Sequence, residues 1–257
     1  MSLATLPSEV GLFALETVRT SGVIIVAPLV WAQAPIQAKV GLILGITVLV
    51  HGMVPVDPSI ESLGHIAMAV PLEFLVGVAM GLVVRISVSA VQTTNEIMAM
   101  SLGLSMAQMM DPHAEVSETA LGKMLRNLAL LVAMILGLHR VVLGSLIASF
   151  RVLPPGRLFS PAPIASLLTE FSTSAIAAGV RLAVPIVAVL VITQVSLAFI
   201  SRAAPALQVF SMGFGLMLGV GLAVIMMALP DLTRQLESEF GRVGPALERL
   251  VSILVEG

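Results

Sequence analysis

The apolar runs of this chain are long enough to cross a lipid bilayer, yet most of them carry one or two charged residues. A charged side chain at the centre of a lipid-facing helix costs about 2.5 to 3.5 kcal/mol. Glu16, Arg19, Glu73, Arg85, Glu96, Arg140 and Arg181 all lie inside or against such runs. Together they would cost roughly 20 kcal/mol on that scale. Snorkelling near helix ends relieves part of the cost, and the remaining charges must face protein or water. The sequence therefore excludes a bundle coated by lipid alone.

Composition sets the class. Of 257 residues, 58% are hydrophobic and only 11% charged, and the mean hydropathy is +1.06, far from a soluble globular domain. An all-α integral membrane protein is expected. Apolar stretches run roughly over 10 to 30, 40 to 56, 66 to 91, 97 to 110, 127 to 150, 174 to 201 and 203 to 230. A spanning helix needs about 20 residues, so the last two qualify outright. The runs at 40 to 56 and 97 to 110 are short, which suggests re-entrant or paired half-helices. No Lys or Arg precedes the first run and Glu9 stands ahead of it, so the N-terminus is expected to be retained rather than cleaved as a signal peptide.

Several function classes lose support here. The chain has no cysteine, and its four histidines form no HExxH-type pair, so no metal site or cofactor is expected. A net charge of −2 without a Lys/Arg cluster argues against nucleic acid and against anchoring to anionic lipid. Gly103-Leu104-Ser105-Met106-Ala107 nearly matches a nucleophile elbow, but the closing Gly is Ala and no strand precedes it. No catalytic residues are assigned and the chain is not expected to be an enzyme.

Turn chemistry divides the apolar runs at Asp57-Pro58-Ser59, at Asp111-Pro112-His113, at Leu153-Pro154-Pro155-Gly156 and over Arg202 to Pro205. Lys39, Lys123, Arg126, Arg151, Arg157 and Arg202 do not collect in alternate breaks, so no membrane orientation follows. Ser160-Pro161 predicts a helix start, with a short helix through Leu167 and Phe171. Over 231 to 257, Leu232, Leu236, Phe240, Val243, Leu247, Leu250 and Leu254 recur at helical spacing among Asp, Glu and Arg. This predicts an amphipathic helix bent near Gly244-Pro245 that lies on a surface or docks on a partner. Gly41/Gly45, Gly77/Gly81 and Gly215/Gly219 carry the small-residue spacing of close helix packing.

Glu16 and Arg19 are one turn apart and can pair locally. Glu73, Arg85 and Glu96 have no such neighbour, so their partners must be distant or on other chains. With Arg140, Arg181 and Arg202 they form the candidate intramembrane or inter-subunit charge pairs. Residues 97 to 110 hold Met98, Met100, Met106, Met109 and Met110, a third of the chain's 15 methionines. Thr94, Met98, Ser101, Ser105 and Gln108 fall on one helical stripe. Two readings stand: a deformable lining of an aqueous path, or ordinary gap filling in a helix core.

The order of these motifs resembles the FliR/SctT family, the R/T subunit of the export gate of flagellar and virulence type III secretion systems. The resemblance rests on Arg19-Thr20-Ser21-Gly22 followed by Ala27-Pro28, the Pro35 to Lys39 turn, and Glu73 with Gly77 and Gly81. It continues through Gln92, Glu96 and Gly103 to Asp111-Pro112, then His139, the Pro154 to Gly156 bend, Pro185, Ser201-Arg202-Ala203-Ala204-Pro205 and Val209-Phe210. Two departures stand out. Pro205-Ala206-Leu207-Gln208 replaces the usual Pro-Gln-Leu-Asn, and Gly215 stands where proline is common. The uncharged stretch after Met212 looks more like flagellar members than virulence ones.

The resemblance implies a single copy of this subunit completing a helical ring with several copies of the P and Q subunits and contacting the B subunit. It implies tilted helical hairpins, with about 1–150 like the P subunit and about 151–257 like the Q subunit, in the bacterial inner membrane at the base of a flagellar basal body or an injectisome. Unfolded proteins would be the cargo. Mapped here, the family's pore plug falls on Met106, Met109, Met110, Asp111, Pro112 and His113. The competing reading is an autonomous secondary transporter, suggested by intramembrane Glu and Arg and by helices interrupted at Pro and Gly. That reading requires an internal repeat, and none is clear in the sequence.

Overall fold

The computed structural model describes residues 6–53, 63–101, 120–203 and 209–256, and every regular element among them is helical. Helix α1 (Leu6–Val26) is followed by a 3-10 turn (Val30–Gln33) and α2 (Ile36–His51). Then come α3 (Leu63–Ser101), α4 (Ala120–Ile135), α5 (Leu138–Val152), α6 (Ala162–Ala203), α7 (Val209–Gly241) and α8 (Val243–Glu256). An all-α chain is what the composition predicted.

Prolines and one glycine set most of the boundaries. Pro35 is extended (ψ 154°) and caps α2, whose first amides, Ala38 and Lys39, bond the Pro35 carbonyl. Lys39 Nζ reaches back 2.9 Å to the Ala32 carbonyl and closes the turn between α1 and α2. Between α4 and α5 the axis bends by 60°. Gly137 makes the bend with φ +72°, a conformation costly for any residue carrying a Cβ. The predicted 127 to 150 run is therefore two helices joined at a bend rather than one straight helix.

Two expectations about length need correction. The runs at 66 to 91 and 97 to 110 were expected to be separate, but α3 continues unbroken through Ser101. The polar residues between them do not end the helix, because Ser87, Thr94 and Ser101 each turn their hydroxyl onto the carbonyl four residues back, at 3.2, 3.0 and 2.9 Å. The short helix expected after Ser160-Pro161 is in fact the 42-residue α6. Thr169 and Thr173 bond in the same way, so the polar stretch near 172 is helix interior. At 1.5 Å per residue, α3 and α6 are each about 60 Å long, twice the hydrocarbon core of about 30 Å. Residues Gly64–Met98 and Ala162–Ile200 are long and apolar enough to cross a membrane, and the bent α4–α5 pair is a further candidate.

Chain contacts sort the residues into two units. The first takes in the described parts of Met1–Ser87, Met134–Thr173 and Phe240–Gly257. Its core joins Leu12, Leu15 and Val23 of α1, Val76, Met80 and Val83 of α3, and Leu146 and Phe150 of α5. Helix α8 packs on α5 and buries Val243, Leu247, Leu250 and Leu254. The amphipathic segment thus docks on its own chain. Its break falls at Gly241–Val243 rather than at Gly244-Pro245, because proline is tolerated in the first turn of a new helix. The second unit takes in the described parts of Val88–Ala133 and Ser174–Glu239. Val91 and Met98, Leu125 and Ala129, Leu182 and Ile186, and Leu232 and Leu236 form its core.

Candidate functional site: a buried charge centre

In the first unit, three glycines let α1 and α3 meet backbone to backbone. A methyl group on Gly77 would run into the Arg19 carbonyl oxygen, and one on Gly22 would lie 2.8 Å from Val78 N. At Gly81 it would lie 2.8 Å from Val26 Cβ. Arg19 and Glu73 each stand one helical turn before one of these glycines, Gly22 and Gly77. The close approach places their side chains together inside the unit.

Both side chains are essentially sealed, at 0% and 1% exposure. Arg19 Nε donates to Glu73 Oε2 at 2.6 Å. Arg19 Nη1 donates to Ser149 Oγ at 3.2 Å and to the Leu153 carbonyl at 3.0 Å. The guanidinium lies over the Phe150 ring, 4.5 Å from its centroid. Glu73 Oε1 accepts the Gly156 amide at 3.0 Å. Gly156, with φ +91°, turns the chain back at the Pro154-Pro155 bend. One ion pair thus ties α1, α3, the end of α5 and the turn after it.

One turn earlier on α1, Glu16 is also fully buried, and its Oε2 lies 3.0 Å from His51 Nδ1 at the end of α2. The His51 ring meets Phe13 edge on, with centroids 5.6 Å apart. The spacing of Glu16 and Arg19 would allow them to pair along α1. Instead each takes a partner from another helix, since Arg19 is turned toward α3 and α5.

Glu73 therefore has its partner within the chain. Arg85, Glu96, Arg140, Arg181 and Arg202 are all exposed, and among the described residues no ion pair joins any of them. Gly77 and Gly81 sit in the α1–α3 crossing, while Gly41, Gly45, Gly215 and Gly219 face open space. The plug positions Met106, Met109, Met110, Asp111, Pro112 and His113 lie outside the described residues, as do Ser105 and Gln108 of the methionine stripe. The described part of that stripe is packed within the second unit. Met98 is fully buried, and Thr94 Oγ1 lies 2.9 Å from the Gly179 carbonyl of α6. Gly179 is a close-packing glycine that no GxxxG spacing announces: a methyl there would lie 2.9 Å from Thr93 Cβ. His51 and Ser149 also escaped sequence reasoning. Among the described residues no three metal-ligating side chains gather.

Compared with known proteins, residues 10–243 match the family described as bacterial export proteins, family 1. The chain belongs to that family. Among its relatives is the flagellar biosynthetic protein FliR of Escherichia coli (strain K12), 29% identical over 251 residues, which are 96% of this chain and 95% of that protein. FliR of Caulobacter vibrioides is 27% identical over 224 residues, 86% of this chain and 89% of the relative. FliR of Bacillus subtilis (strain 168) is 23% identical over 221 residues, 84% of this chain and 85% of the relative. The motif order read from the sequence led to the FliR family, and these matches span most of each chain.

Proposed function

We propose that this chain is a non-enzymatic core subunit of a flagellar type III protein export gate, one that helps to form and plug the pore through which unfolded proteins leave the cell. The relatives named FliR support the flagellar export assignment. The observation that carries the subunit role is the set of outward charges. Arg85, Glu96, Arg181 and Arg202 are exposed on the long apolar helices α3 and α6, and Arg140 is exposed at the α4–α5 bend. In lipid such charges are costly, so they call for polar partners on neighbouring chains. Gly41 and Gly45, with nothing within 4 Å of a built Cβ, offer a face for close approach by another helix.

On this reading the neighbours are several P and Q subunits and the B subunit, in the bacterial inner membrane. The N-terminal part to about residue 150 plays the P-like role and the remainder the Q-like role. Met106 to His113 supply the plug, where unbranched methionine side chains close a passage and still yield to irregular cargo.

Co-expression tests the assembly. With P and Q homologues the chain should purify as a stable complex, and alone it should be less stable and heterogeneous in its state of association. A well-behaved monomer without affinity for those subunits would refute the role. For the plug, replacing Met106, Met109 and Met110 by Ala in assembled gates should raise ion conductance across a planar bilayer, and unchanged conductance would remove it.

A further inference from the structure

The buried centre holds an uneven number of charges, the carboxyl groups of Glu16 and Glu73 against the one guanidinium of Arg19. Arg19 is matched by Glu73 at 2.6 Å. Glu16, fully buried, is left with His51 as its contact at 3.0 Å, and its other oxygen has no hydrogen-bond partner. The charged groups that act on Glu16 are His51 from α2, Arg19 from its own helix and Glu73 from α3. With Arg19 and Glu73 cancelling, the cluster is neutral only when the Glu16–His51 pair holds one proton. Without that proton a net negative charge is enclosed in the protein, where charges are tolerated only when compensated. His51 is a third exposed, so the pair is open on one side and the proton has a way out of the cluster.

We propose that a single proton shared by Glu16 and His51 clasps the C-terminal end of α2 onto α1, and that losing it releases that end. Thr47 and Val50, which face the same side of α2 as His51, are fully or almost fully buried, so release would expose the last turn and a half of the helix. The sign follows from proton counting. The clasped state holds one proton on the pair. The released state, with a solvated carboxylate and imidazole, holds none above the ordinary histidine range near pH 6.5. Opening is therefore favoured as pH rises, by up to about tenfold per pH unit for one linked proton.

Hydrogen exchange on the full-length chain in lipid nanodiscs tests this. After correction for the intrinsic pH dependence of amide exchange, protection over 47–51 should fall by about tenfold per pH unit somewhere between about pH 6.5 and pH 9. Protection over 76–84 of α3 should stay constant. In Glu16→Gln, whose cluster is neutral without the extra proton, the α2 profile should be flat. A flat wild-type profile, or an equal slope over α3, would overturn the proposal even if the variant did not fold. The same slope in a folded Glu16→Gln protein would do so too.

Discussion

Replacing Glu73 with Gln keeps the shape of the side chain and removes its charge. The amide oxygen can still accept the Gly156 N–H now held at 3.0 Å. Arg19 fares differently. Its Nε contact at 2.6 Å loses the carboxylate, while the guanidinium remains 0% exposed, held by Ser149 and the Leu153 carbonyl. Removing one partner of a buried pair costs about 3 to 5 kcal/mol, because the other charge stays enclosed and uncompensated. Glu16, one turn away on α1, supplies some negative potential, which argues for the lower end, about 3 kcal/mol. For a chain of this size each kcal/mol shifts the unfolding midpoint by roughly 2 to 4 °C, so Glu73→Gln should lower Tm by roughly 6 to 12 °C. Trp31 is the only tryptophan, and its emission can follow thermal unfolding of the detergent-solubilised chain.

The double variant Arg19→Met/Glu73→Leu separates charge from packing. Methionine keeps an apolar stem near the Phe150 ring, and no charge remains to be compensated. The Gly156 amide and Leu153 carbonyl lose their partners, so some cost persists. The double variant should nevertheless fall short of the sum of the single effects by about 2 to 3 kcal/mol. Additivity within about 0.5 kcal/mol would show that the two groups do not act as a pair. A cost below about 1 kcal/mol for Glu73→Gln would place the pair among solvated surface contacts and refute the argument from burial.

Glycine substitutions test the helix contacts in the same unfolding assay. Gly77→Ala drives a methyl into the Arg19 carbonyl oxygen, backbone that cannot yield without parting α1 from α3. A loss of about 1 to 3 kcal/mol or more is expected, and a neutral result would contradict that crossing. Gly41→Ala meets nothing within 4 Å, so the isolated chain should gain about 0.5 to 1 kcal/mol from helix propensity. Recovery of the complex with P and Q homologues should fall, and an undiminished yield would remove this face from the assembly.

The sequence carried the class and the problem of the charges, because hydropathy and enclosed ions are visible residue by residue. It also named Glu73, Gly77 and Gly81 of the centre. It did not reveal that Arg19 turns from Glu16 toward Glu73, since their separation of 54 residues leaves no periodic trace. The usable signal was a charged residue one turn before a glycine, present at Arg19/Gly22 and at Glu73/Gly77. Helix lengths were misjudged where Ser and Thr interrupt apolar runs, as at Thr94 and Thr173, because hydroxyls that bond the preceding turn look like breaks in a hydropathy profile. His51 was passed over because a lone histidine at a helix end gives no hint of a buried carboxylate 35 residues earlier.

The seven charges that opened the problem fall into two groups. Glu16, Arg19 and Glu73 are enclosed and compensated by side chains of this chain, while Arg85, Glu96, Arg140 and Arg181 point outward without ion-pair partners among the described residues. Left in the middle of a bilayer, the outward four would cost about 10 to 14 kcal/mol on the insertion scale. That is as large as the whole stability of a typical folded protein, about 5 to 15 kcal/mol. Neighbouring chains or water must therefore meet most of them. Replacing all four by Leu should make the isolated chain more uniform in nanodiscs, because lipid then becomes an adequate neighbour. It should also abolish recovery of the complex with P and Q homologues, measured by size-exclusion chromatography of co-expressed subunits. If the fourfold variant assembled as well as the wild type, the outward charges would have no part in holding subunits together, and their tolerance in the membrane would need another cause.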